Sequence, residues 1–276
     1  MDKRLSRDNT ISCFSCHNIH EAGADSKRQF SVGVNKRQGE INTPTVFNSS
    51  LNFVQFWDGR AKDLKEQIEG PIHNPVEMDH DWPSIIQKLK QDGFYKNTFK
   101  LIYSEQITPD NVKDAIAFFE STLITPNSRF DQFLKGNPTV ISQREKTGYK
   151  KFKDYGCISC HQGVNIGGNM FQTMGIAQDY FKDRGNTKKI DFGRYNVTGD
   201  EEDKHVFKVP SLRNVTLTPP YFHDGSAKNL PEAIRIMGKY QLGRDLSKED
   251  IELIADFLKT LEARPISNSE KPKEKR

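Results

Sequence analysis

The chain has 276 residues, of which 34% are hydrophobic and 28% charged, and a formal net charge of +4. That length allows two ordinary domains or one large one. No apolar run approaches the roughly 20 residues of a membrane helix, no signal peptide is visible, and no basic–aromatic interleaving supports a nucleic-acid partner.

The first element with chemistry is Cys13-Phe-Ser-Cys16-His17, and the same pattern returns as Cys157-Ile-Ser-Cys160-His161; these pairs hold all four cysteines. Each is C-x-x-C-H, the attachment pattern of c-type haem. Two thiols three residues apart form thioethers to the two vinyl groups of one haem. The following histidine presents imidazole to the iron from the same short turn. One zinc shared by the two C-x-x-C units would leave both histidines unexplained. A redox disulfide would stand near a βαβ pattern, which the sequence lacks. Two covalent haem c groups are therefore expected. This haem is attached outside the bacterial cytoplasm, so biosynthesis predicts a periplasmic protein.

Between the motifs lies the first copy of an internal repeat. Residues 44–71 match 210–237 at a shift of 166, with 11 identities in 28 ungapped positions. Pro44, Asn48, Leu51, Phe56, Asp58, Gly59, Ala61, Lys62, Leu64, Glu66 and Ile68 recur in the second copy. Each half thus reads as a C-x-x-C-H, a variable connection and a shared loop-and-helix unit. The connection is 22 residues longer in the second half.

The second copy ends on Met237, after the apolar helical stretch EAIRIM. A cytochrome c domain takes its sixth ligand late in the chain, and methionine there raises the haem potential. Met237 is the expected ligand. Met170, Met174, His205 and His223 are the other candidates downstream of His161, and a core methionine filling a gap is the bland reading of Met237. The first copy has Pro71 at that place, and proline cannot bind iron. One haem is then closed for electron transfer and one is open to a small oxidant.

Chemistry at an open haem needs an acid–base group, and Glu77 follows Pro71 by six residues. Burial beside a haem would raise its pKa, although spacing alone also fits a solvated loop glutamate. Gln67, on the preceding helix, reads equally as a helix-surface residue. Trp57 stands where the second copy has His223. The indole is either a packed aromatic or a bridge for electrons between the haems. His223 is either a partner for a haem propionate or an ordinary buried histidine.

Further along, helices are predicted over 81–91, 108–123, 142–156 and 247–263. The second of these carries Val112, Ala115, Ile116 and Phe119 on one face. The last opens on Ser247 with Asp250 three residues on, a variant of the capping box, and bears an apolar stripe of Ile251, Ile254, Ala255, Leu258 and Leu261. Strand signals are few. The expected fold is mainly α, with two cytochrome c-like domains, each with one covalent haem. They divide near 126–140: residues 1–135 form the first, 136–265 the second, and 266–276 a disordered polar tail.

These residues resemble the bacterial dihaem cytochrome c peroxidases. The resemblance is carried by TISCFSCH, NTPTVFN, FWDGRAKDL, GPIHNPVEM, TPNSRFDQFLKG, GCISCHQGVNIGG, VPSLRNVTLTPPYFHDG and IMGKYQLG, which together span about residues 5–264. It implies that the first haem (Cys13, Cys16, His17) is the low-potential peroxidatic one. The second (Cys157, Cys160, His161, Met237) would be the high-potential entry for electrons. It implies that Trp57 is an interhaem tryptophan and that Gln67, Pro71 and Glu77 line the distal pocket. It also implies a calcium ion held by Asn42 and the carbonyls of Thr218 and Pro220, a homodimer, hydrogen peroxide as substrate, and a small cytochrome c or cupredoxin as donor.

The sequence departs from the family at one point. Many members carry a histidine on a mobile loop that caps the peroxidatic iron in the oxidised enzyme. Here the loop reads QFSVGVNKRQGEINTP, the matching residue is Val34, and no histidine lies between His20 and His73. The first haem is expected to stay open when oxidised, without reductive activation, unless His73 or His80 serves as a substitute cap. Two other functions compete: a dihaem oxidase that modifies a protein substrate, and a dihaem electron carrier without catalysis.

Overall fold

The computed structural model describes residues 2–104 and 106–265. The expected tail, residues 266–276, lies outside the described residues. Short helices joined by long ordered loops make up the chain. The first, α1 (Cys13–Cys16), is the first cysteine motif itself, and His17 caps its C-terminal end. Next come α2 (Leu64–Gln67), α3 (Glu69–His73), α4 (Trp82–Lys90), α5 (Gly93–Tyr103) and α6 (Pro109–Ser121). They are followed by α7 (Arg129–Leu134), α8 (Gln143–Asp154), α9 (Tyr180–Arg184), α10 (Tyr195–Thr198), α11 (Leu230–Ile236) and α12 (Lys248–Lys259). Two three-residue strands, β1 (Phe171–Thr173) and β2 (Val206–Lys208), pair antiparallel with Phe171 opposite Lys208. The mainly α expectation holds.

Local chemistry explains the helix limits. Thr108 caps α6 with its hydroxyl on Asn111 N–H and Pro109 in the first turn, where a missing N–H is harmless. Ser142 and Glu145 form a reciprocal capping box on α8. On α12, Ser247 Oγ accepts from Asp250 N–H at 3.1 Å; the Asp250 carboxylate itself pairs with Lys151 of α8 at 2.8 Å. The predicted stripe of α12 is buried against α8, with Phe257 meeting Phe130, Tyr149 and Phe152 in ring contacts. Phe130 belongs to α7, so the helix at the expected division packs into the second-half core. A separate first-half core gathers Ile68, Ile72, Met78, Ile85, Leu89, Phe99 and Val112. On α6 the expected face divides: Val112 is buried, Ala115 and Ile116 pack against this core, and Phe119 is 50% exposed.

The repeat is structural. Asn48 and Asn214 both adopt the left-handed conformation (φ 60° each) and lead into matching 3₁₀ turns, a conformation asparagine tolerates well. Gln55 N–H to Ala61 O and Tyr221 N–H to Ala227 O are both 2.7 Å. Asp63 caps α2 through Glu66 N–H, and Asn229 caps α11 through Glu232 N–H. The copies then part. Helices α2 and α3 form one interrupted helix in which Pro71 supplies no N–H. Helix α11 instead runs on into a π-helical turn, Met237–Gln241, a distortion often found at functional positions.

The two halves meet around Thr125, which is buried. Its N–H donates to Asn48 Oδ1 at 2.8 Å, and its hydroxyl oxygen accepts from Asn48 Nδ2 at 2.8 Å and Asn214 Nδ2 at 3.3 Å. The asparagines that start the two repeat copies thus share one threonine.

Candidate haem sites

Around the second motif, Cys157, Cys160, His161, Met237 and Lys208 line one cavity together with Trp57 of the first half. Cys157 opens a 3₁₀ turn that Gly156 enters in the left-handed conformation (φ 91°). His161 is half-buried, and its buried Nδ1 has no hydrogen-bond partner among the described residues. Burial lowers its pKa to about 4, opposed only by the nearby carbonyls of Ile166 and Pro210. The imidazole is therefore neutral, the form that ligates iron. Of the alternative ligands, Met174 and His223 also line this cavity. His205 does not: its Nδ1 meets the Asp191 carbonyl at 2.8 Å and its ring stacks on Phe181.

His223 is held from behind. Its Nε2 lies 2.7 Å from Asp191 Oδ1, and the Asp191 carboxylate also takes Arg184. These partners hold Asp191 well below the usual carboxylate range, against the opposing effect of its burial. His223 stacks on Phe207 at 4.5 Å.

In the first half, His17 is likewise half-buried and desolvation lowers its pKa, with the Gly23 and Pro44 carbonyls opposing. Its Nδ1 is 3.2 Å from Gly23 O, which leaves Nε2 for a metal. Pro44 and Pro210 are partners in the repeat, so each proximal histidine sits beside the same proline carbonyl. Both thiol–histidine turns fit a c-type haem in the chemistry of their donors: neutral imidazoles with two thiols on the same turn.

Around the first site, backbone hydrogen bonds assemble the distal candidates. Met78 N–H donates to Pro71 O at 3.1 Å, and Val34 N–H to Glu77 O at 2.9 Å. Burial raises the Glu77 pKa, while Asn74 and Arg60 act against it; Asn74 Nδ2 donates to Glu77 Oε1 at 2.6 Å. Gln67 ends α2 one turn before Pro71. Val34 is fully buried, and a Cβ on the preceding Gly33 would lie 2.2 Å from Val76 O. The 31–38 loop is thus clasped against the Glu77 loop. Arg37 adds a bond to Pro75 O at 3.0 Å.

Among the described residues, neither substitute histidine makes a side-chain hydrogen bond to Val34, Gln67, Pro71 or Glu77. His73 has a 49% exposed side chain and bonds Glu69 O at 3.0 Å. His80 is buried beside Asp81, and neither ring nitrogen has a hydrogen-bond partner among the described residues.

Trp57 bridges the halves: Nε1–H donates to Asn42 O at 3.0 Å, and Trp57 O accepts from Lys208 N–H at 2.8 Å. The Asn42 amide nitrogen donates to the carbonyls of Pro220 at 2.6 Å and Phe222 at 3.2 Å. Turning that amide by half a revolution would bring its oxygen to the Pro220 carbonyl, the kind of neutral-oxygen convergence a calcium ion accepts. Arg60, Asn74, Asp191 and Lys208 were not singled out in the sequence. Arg60 had a signal: it stands where the second copy has Ser226, and its guanidinium lies 3.5 Å over the Phe56 ring.

Two helical units, each with a C-x-x-C-H turn and a shared loop-and-helix, define a dihaem c-type protein. A sequence profile described as di-haem cytochrome c peroxidase matches residues 1–139. The cytochrome c551 peroxidase of Nitrosomonas europaea is 47% identical over 261 residues, which cover 94% of this chain and 76% of that one. The methylamine utilization protein MauG of Methylophilus methylotrophus is 30% identical over 276 residues, covering 95% and 79%. Among solved structures, a MauG-like protein associated with microbial copper homeostasis matches with a TM-score of 0.85 at 26% identity, over 95% of this chain and 86% of that one. The chain belongs to the di-haem cytochrome c peroxidase family, and is a haem peroxidase of the oxidoreductase class with two haem c groups.

Proposed function

We propose that this chain reduces hydrogen peroxide to water with two electrons from a small redox protein. The observation that carries the reading is the divergence of two otherwise matching units: Met237 ends one and Pro71 the other, with Glu77 tied to Pro71 through its neighbour Met78. Two haem c groups, one on Cys13, Cys16 and His17 and one on Cys157, Cys160 and His161, supply the redox-active iron. The chain's residues do the rest.

Met237 closes the second site and makes it a station for electrons. Pro71 offers no ligand atom, so the first site keeps a face for peroxide. Glu77 takes a proton from the near oxygen and returns it to the leaving oxygen, a service typically worth ~10²–10⁴-fold. Peroxide, two protons and two electrons leave as two waters. Gln67 orients the substrate from α2. Trp57, bonded to both halves, lies on the route for electrons. Val34, in place of a capping histidine, leaves the first site open in the oxidised protein, so no reductive activation is needed. The haem units are residues 1–135 and 136–265. Asn42 and the carbonyls of Thr218 and Pro220 would hold a calcium ion, and His223 would serve as a partner for a propionate of the second haem. The enzyme works in the periplasm as a homodimer, with a small cytochrome c or cupredoxin as donor.

The relation to MauG raises a second reading, oxidation of a protein substrate. Met237, where the methylamine-utilisation enzyme is expected to use a tyrosine, favours the peroxidase. A dihaem electron carrier is opposed by Pro71 and Glu77. Mixing the oxidised and the half-reduced holoprotein with peroxide and a reduced small cytochrome separates these readings. Donor oxidation in both states is expected; no turnover in either defeats the proposal.

A further inference from the structure

Lys208 ends β2 and is 8% exposed. It lines the same cavity as Cys157, His161 and Met237. Its backbone N–H holds the Trp57 carbonyl at 2.8 Å, so the residue stands where the two halves meet. Its ammonium makes no ion pair within 4.0 Å among the described residues. The closely held acids of this half are already paired: Asp191 with Arg184 and His223, Asp131 with Arg213. Burial alone pushes the amine down to about 8. A buried cation without a partner carries a penalty of several kcal/mol. It is normally found paired or hydrogen-bonded.

The counter-charge has to come from what fills the cavity. Apart from Lys208, the lining is largely apolar, with Trp57, Phe207, Leu258 and Ile254 among its walls. A haem brings two carboxylates as its propionates. We propose that Lys208 is the counter-ion of a propionate on the haem held by Cys157, Cys160 and His161, and that it fixes this edge of the haem beside Trp57. The inference rests on the second cysteine motif carrying that haem. A fixed positive charge at the haem edge favours the reduced iron, so Lys208 is a positioning residue that also raises the potential of the methionine-ligated haem.

The test is a spectroscopic redox titration of both haems in holo Lys208→Gln and Lys208→Arg, from mildly acidic to mildly alkaline pH. In Lys208→Gln the potential of the low-spin methionine haem should fall and become pH-dependent near neutrality, as the unpaired propionate titrates. Lys208→Arg should restore most of both, and the other haem should be unaffected. An unchanged methionine haem in Lys208→Gln overturns the proposal, as does a shift confined to the other haem. Should Lys208→Gln fail to accumulate, redox-difference infrared spectra of the unmodified holoprotein with ¹⁵N-lysine decide the matter. A lysine band that changes when the methionine haem is reduced is expected, and its absence overturns the assignment. Loss of the underlying reading is separately visible, as fewer than two haems per chain by haemochrome assay.

Discussion

At the residue scale, the account turns on Glu77. Its pKa is raised by burial, with Asn74 and Arg60 holding the rise in check. A general base must be ionised, so the acid limb of peroxide turnover should lie above the ordinary glutamate value of about 4.3. The same sign governs stability: a carboxyl with a raised folded pKa favours the fold most when protonated, and that contribution fades as pH rises through its folded pKa. Glu77→Gln should lower steady-state donor oxidation by ~10²–10⁴-fold and remove that acid limb, while haem content stays at two per chain. A variant with full activity and the same pH profile would remove Glu77 from the mechanism. Spacing left Glu77 open between the site and a solvated loop, and only the resemblance favoured the site, because a loop glutamate six residues from a proline has no periodicity to read. Its burial comes from Val34 and Gly33, residues distant in sequence and brought in by backbone contacts.

At the element scale, the interruption between α2 and α3 distinguishes the two units. The matching stretch α11 runs unbroken into the turn that starts at Met237. Pro71→Met restores both the missing N–H and a ligand atom at the repeat position. Electronic spectra should then show a second low-spin haem, and donor turnover should fall roughly tenfold or more, each tenfold being about 1.4 kcal/mol of barrier. A high-spin first haem with unaltered turnover would mean that the repeat positions do not face equivalent sides of their haems. The helices with caps and apolar stripes were legible: α4, α6, α8 and α12 fall within a few residues of their expected limits. Helix α5 was not. Its sequence GFYKNTFKLIY leaves Phe94, Leu101 and Ile102 exposed, so no clean stripe marks it, and its only strong signal is the Asp92 cap.

At the scale of the whole molecule, the repeat is visible in sequence as identities, yet its join is not. Asn48 and Asn214 recur at one shift, while the threonine that binds both lies outside the repeated segment. Thr125→Val keeps the shape of the side chain and removes the acceptor for two buried amides. It should destabilise the holoprotein by roughly 1–3 kcal/mol, the usual effect of leaving buried polar groups unpaired, read as a lower denaturation midpoint. An unchanged midpoint would show that the shared threonine does not help to hold the halves together. The cysteine motifs, by contrast, were fully legible, because thioether attachment and axial ligation fix spacing directly. Lys208 was silent in sequence, since a single lysine in a short strand looks like any exposed cation until its burial is known.

The division of labour between Met237 and Pro71 is tested most directly by the electron paramagnetic resonance and optical spectra of the fully oxidised holoprotein. The account predicts one low-spin haem with the methionine signature and one high-spin or water-ligated haem, present before any reduction. Two low-spin haems in that state would contradict it.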